Sequence, residues 1–105
     1  MFKDYRQYLG SRPDKHYKTT LFQADRQMVG LNCLEPGQVQ PAHVHAEADK
    51  FYFVIEGEGY FVVGTDERQC GPGTIVWAPA GVLHSVENRG ADRLTLLVGI
   101  APPPK

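Results

Sequence analysis

The chain has 105 residues, a formal net charge of −1 at neutral pH, and hydrophobic and charged fractions of 42% and 22%. That length accommodates one domain built on one core. The near-neutral balance, with Lys and Arg scattered, lacks the basic stripe of a nucleic-acid binder and the basic amphipathic face of a membrane-surface protein, so neither partner is expected.

No run approaches the ~20 apolar residues that cross a bilayer. The opening Met1-Phe2-Lys3-Asp4-Tyr5-Arg6 carries an acid and leads into no apolar block, so no secretory leader is expected and a cytoplasmic location is the default. The two cysteines, Cys33 and Cys70, match no zinc spacing and are too few for a disulfide scaffold. They read as reduced thiols in strands, with Cys70 partly exposed before a turn.

Taken in chain order, Tyr5, Tyr8 and Leu9 have the spacing of a short helix within an N-terminal segment, residues 1–18. Then Gly and Pro punctuate the chain at short intervals: Glu35-Pro36-Gly37, Gly57-Glu58-Gly59, Gly64-Thr65-Asp66, Gly71-Pro72-Gly73, Pro79-Ala80-Gly81 and Asn88-Arg89-Gly90. The runs between are rich in Val, Ile, Phe, Tyr and Thr. They predict strands at 19–24, 28–34, 39–45, 50–56, 60–64, 67–70, 74–78, 83–87 and 94–100. Short strands with turns at such intervals predict an all-β sandwich or barrel over residues 19–100. A Pro-rich extended or disordered tail, residues 101–105, follows. Trp77, Phe51, Phe53, Phe61 and Tyr60 read as core or barrel lining. His16, in a polar stretch, reads as a surface residue.

The chemistry lies with three of the four histidines. His43 and His45 are separated by one residue, and side chains at i and i+2 on a strand share a face. His84 opens another predicted strand after the Pro79-Ala80-Gly81 turn. If the two strands face each other, three imidazoles converge. Such a set suits Fe, Zn, Ni, Mn or Cu, and ligand type alone does not choose among them.

The surroundings of these histidines carry more information than the histidines alone. Gly37 is followed after five residues by His43-Val44-His45, and Gly57 closes that segment. Gly73, Pro79, Gly81, His84 and Asn88 then follow at intervals of five, one, two and three intervening residues. The two segments are fifteen residues apart. Both resemble the paired motifs of the cupin family, over about half the chain. The resemblance implies a double-stranded β-helix, the cupin or jelly-roll barrel, as a single domain with a divalent transition metal inside, held by His43, His45 and His84. It also implies a homodimer paired through edge strands, which would hide their unpaired backbone groups. Asn88 reads as a structural residue that hydrogen-bonds a local turn.

One position departs from the pattern. The acidic ligand of the first motif should stand seven residues before Gly57, where this chain has Lys50. An ammonium beside a divalent cation is repulsive. The site is then three histidines with open positions, or Glu47 or Asp49 supplies a fourth ligand, in that order of preference. Lys50 itself either points inward with Tyr52 and Val54, where it would attract an anionic substrate group, or frays at the strand start and snorkels to solvent; the second is favoured slightly.

The resemblance admits two functional classes. One is a metal-dependent enzyme acting on a small organic molecule, with dioxygenase-like or isomerase- or decarboxylase-like chemistry and Lys50 and Tyr52 as candidate catalytic groups. The other is a non-catalytic cupin that binds or senses a small ligand. The missing acidic ligand weakens an analogy with manganese cupins.

Overall fold

A computed structural model describes residues 1–104; Lys105, the last residue of the expected tail, lies outside the described residues. The short helix expected near Tyr5 and Tyr8 is a 3-10 helix, Tyr5–Tyr8, capped by the Asp4 carboxylate, which accepts the Arg6 N–H. Nine strands follow: β1 Tyr17–Gln23, β2 Met28–Leu34, β3 Val39–His43, β4 Asp49–Glu56, β5 Gly59–Val63, β6 Asp66–Cys70, β7 Ile75–Ala78, β8 His84–Glu87 and β9 Leu94–Ala101.

They form two antiparallel sheets. One has the order β1-β2-β9-β4-β7 and the other β3-β8-β5-β6. Period-two alternation decides what each sheet turns inward. On β4, Lys50, Tyr52 and Val54 are buried while Phe51 and Phe53 are half-buried on the other face. The same register places Val98 opposite Tyr52 and Leu96 opposite Val54 on β9. These side chains, with Leu34, Phe61, Val86 and Leu94, make the core between the sheets.

Turn glycines set the corners. Gly57 has φ +82°, and a Cβ there would collide with the Arg93 carbonyl oxygen, so only glycine fits both the conformation and the contact. Gly81 (φ +79°) closes the turn before β8, and its N–H donates to the His45 carbonyl at 2.8 Å. The turn of the second motif is thereby tied to the loop of the first.

Asn88 is fully buried. Its Nδ2 donates to the Leu34 and Asp92 carbonyls, and its Oδ1 accepts from Gly90 N–H. The side chain thus joins β2, β8 and the turn before β9, as a structural residue should.

Two expectations need correction. Trp77 is 56% exposed, not core: β7 is an edge strand whose phase turns Ile75 and Trp77 outward and Ala78 inward. Of the other aromatics named, Phe61 is core and the rest are half-buried. Cys70 is buried like Cys33, because it ends β6 on the inward phase.

Candidate metal centre

The site begins with a fault in a strand. β3 and β8 pair Gln40 with Val86 and His43 with His84, so β3 carries an extra residue between the two pairs. Pro41, which has no N–H to give the ladder, lies in that bulge. β3 ends at His43, so His45 lies in the following loop and not, as the sequence predicts, in the strand. The Gly81 N–H bond to the His45 carbonyl holds that loop in place.

The result brings the three histidines together. Ring centroids are 5.0 Å apart for His43 and His45, 4.1 Å for His43 and His84, and 5.7 Å for His45 and His84. One donor nitrogen from each lies within 4.8 Å of the other two. His84 is buried and the other two are half-buried.

Two hydrogen bonds fix the tautomers. His43 Nδ1 lies 2.9 Å from the Pro41 carbonyl, and His84 Nδ1 lies 3.0 Å from the Val82 carbonyl. A carbonyl oxygen only accepts, so each Nδ1 carries the proton and each Nε2 keeps its lone pair free. His84 Nε2 is buried and has no hydrogen-bond partner among the described residues. A buried acceptor left unmatched is costly, and a metal would satisfy it.

Burial favours the neutral rings that ligation requires. It depresses the pKa of all three, that of His84 to about 4, with the Lys50 charge adding to the effect on each. The donor set, its tautomers and its protonation therefore fit a divalent transition metal.

Neither candidate for a fourth ligand joins the cluster. Asp49 is exposed, and its carboxylate accepts the Ala80 N–H at 2.9 Å, which pins the start of β4 to the turn before β8. Glu47 is exposed on the loop.

Lys50 is 3% exposed, and the expected snorkelling does not occur. The strand starts at Asp49 and is pinned there, so Lys50 is held on the inward phase instead of fraying. Its Nζ lies 4.6 Å from the centroid of the Tyr52 ring, a cation–π contact. Burial, with the charge of Lys18 as a lesser cause, lowers its pKa to about 8. The Tyr52 hydroxyl donates to Gln40 Oε1 at 2.5 Å, and burial pushes its pKa above the usual phenol range.

His43, His45 and Lys50 open on one cavity of about 540 Å³. His16 lines it too, with Nε2 3.5 Å from Gln40 Nε2 and Nδ1 buried. The surface placement expected for His16 is thus wrong. Local polarity hides that β1 starts at Tyr17 and brings the preceding residue over the barrel mouth.

The Cupin domain family model matches residues 30–100. The chain is a cupin. It is 37% identical over 83 residues to an uncharacterised protein, SCO3923, of Streptomyces coelicolor, covering 78% of this chain and 77% of that protein. The crystal structure of TT1209 from Thermus thermophilus superposes with a TM-score of 0.94 at 41% identity, covering 98% of both chains. A Klebsiella pneumoniae protein with a double-stranded β-helix domain has a TM-score of 0.90 at 22% identity, covering 96% of this chain and 89% of that one, which bears on the fold alone. The five-stranded and four-stranded sheets of this cupin are the two walls of its barrel, with His43 and His84 on one wall and Lys50 on the other.

Proposed function

We propose that this cupin is a metal-dependent enzyme acting on a small organic molecule bound in the barrel mouth. The observation that carries the reading is the unpartnered, buried Nε2 of His84, set among two further imidazoles at the wall of a cavity. His43, His45 and His84 would hold the metal, and the absence of an acidic ligand leaves positions for a substrate donor. The metal, when bound, supplies Lewis-acid polarisation of that donor or a site for O₂.

The chain's own residues do the rest. The Nδ1–H bonds to the Pro41 and Val82 carbonyls aim two imidazoles and keep them from rotating. Tyr52 keeps its proton and, through Gln40, fixes the cavity floor; it is a positioning residue. Lys50, with a pKa near 8, is the group in the cavity able to hold or give a proton close to neutral pH. Met28, Val98 and Ile100 supply an apolar wall for a carbon skeleton.

The test is turnover. Protein loaded separately with iron, copper, zinc, nickel or manganese is incubated with diketones, thiols, phenols and 2-oxo acids, with O₂ uptake and product formation followed beside the His84→Ala variant. Turnover in one loaded form, absent from the variant, supports the reading. Saturable binding without turnover in every form would instead make the protein a ligand-binding cupin.

A further inference from the structure

We infer that the ligand of this barrel is a small organic carboxylate, and that Lys50 on β4 binds its carboxylate group across the cavity from the histidines. The inference deepens the metal-site reading and rests on it for the location of the ligand's other end.

The charge balance of the cavity is the first argument. Its described lining contains Lys50, Lys18, His16, His43 and His45, and no Asp or Glu. A divalent cation on three neutral imidazoles would add to that positive charge. The place where an acidic side chain would offset it is taken by Lys50 itself. An anion from outside is the missing countercharge.

The second argument is the state of Lys50. A buried ammonium ordinarily has a carboxylate partner or several hydrogen bonds. Among the described residues Lys50 Nζ has neither, only the face of the Tyr52 ring. Lys50 lines the cavity, so a ligand there can reach it. A charge held in that condition destabilises the fold, and a ligand anion would relieve it.

The third argument narrows the anion. Lys50 is the one buried ammonium of the described lining, Lys18 being exposed, and one carboxylate matches it. On the sheet that carries Lys50 the other polar lining residues are Lys18, Thr19, Thr20 and Asn32, and its apolar part is Met28, Val98 and Ile100. A phosphate draws on several donors at once, as a run of backbone N–H groups supplies, and is the anion the test sets against the carboxylate. A carboxylate on a short carbon skeleton matches one buried ammonium, the Asn32 amide and an apolar wall.

The experiment uses chelator-treated protein, so that binding reads Lys50 and not the metal. Butyrate, 2-oxobutyrate and benzoate are titrated calorimetrically against the parent, Lys50→Met and Lys50→Gln, with butyramide and benzamide as neutral controls and inorganic phosphate as the competing anion. The expected result is saturable binding of at least one carboxylate to the parent, weakened about tenfold or more in both variants and for its amide. Phosphate is expected to bind more weakly than that carboxylate. Lys50→Met should melt at the same temperature as the parent or higher, which shows that lost binding is not lost folding. Equal carboxylate affinity in parent and variants, no binding of any of the three carboxylates, or tighter binding of phosphate would each overturn the inference. Metal content of Lys50→Met is measured alongside. A parent that binds carboxylate but takes up no metal sinks the metal-site reading and leaves the carboxylate site standing.

Discussion

His43 and His84 are cross-strand partners, paired between β3 and β8 with ring centroids 4.1 Å apart. An extra residue at Pro41–Ala42 separates this pair from that of Gln40 with Val86. Deleting Ala42 leaves His43 two residues from Gln40, opposite His84 in a regular ladder, whereas one added residue moves it a place further and to the other face by the period-two rule. Insertion of an alanine after Ala42 is therefore expected to abolish metal uptake, and deletion of Ala42 to retain it. The Ala42→Ser substitution, which keeps the length, should leave it unchanged, as read by metal content per folded chain.

The second prediction concerns acid. Burial lowers the pKa of His84 from about 6.5 to about 4 in the folded, metal-free chain. The unfolded chain therefore binds more protons than the folded one between those values, and stability falls as pH falls through that window. His43 and His45 shift in the same direction and steepen the loss. Denaturant melts of metal-free protein from pH 7.5 to 4 should show this decline, and His84→Gln should flatten part of it. A parent curve level across the window would contradict the burial argument.

Asn88 offers a test of the fold separate from the site. Asn88→Ala removes two donors and one acceptor from buried partners, at a cost of about 2 kcal/mol. The melting temperature should drop by several degrees while metal content per folded chain stays that of the parent. Metal loss in step with stability loss would mean that the turn after β8 shapes the site directly.

Asp49 and Glu47 separate a three-histidine site from a four-ligand one. Asp49→Ala removes the acceptor for Ala80 N–H and should cost about 1 kcal/mol of stability. Glu47→Gln, on an exposed loop, should be close to neutral. Neither should lower metal stoichiometry. A large drop in metal affinity from either change would show that the loop closes on the ion in solution.

Much of this architecture was legible in the residues. Gly- and Pro-bearing turns marked six of the eight connections between the nine strands of the described residues, because a turn with φ > 0 at Gly57 or Gly81 admits little else. The spacing from Gly73 to Asn88 located His84 and its supporting turn. The misses have a common physical cause: they depend on which surface another element covers. His16 is polar among polar neighbours and is placed over the cavity only by the pairing of β1 with β2. Lys50 looks like a strand end until the Asp49 bond to Ala80, 31 residues away, fixes the start of β4. Trp77 looks like core until β7 proves to be an edge.

That edge bears on assembly. We propose a homodimer, and Ile75 and Trp77, 69% and 56% exposed on β7, lie on an edge strand suited to it. Light scattering should give twice the chain mass for the parent and a lower mass for Trp77→Arg. A monomeric parent at working concentration would end the proposal.

The central claim is that three imidazoles hold one transition metal, and elemental analysis tests it most directly. Protein purified without chelators is compared with the His84→Ala variant, each checked for folding by circular dichroism. The expected result is about one transition-metal ion per parent chain and little in the variant. A folded parent that carries no metal and takes up none on reconstitution, or a variant that retains the full amount, would contradict it.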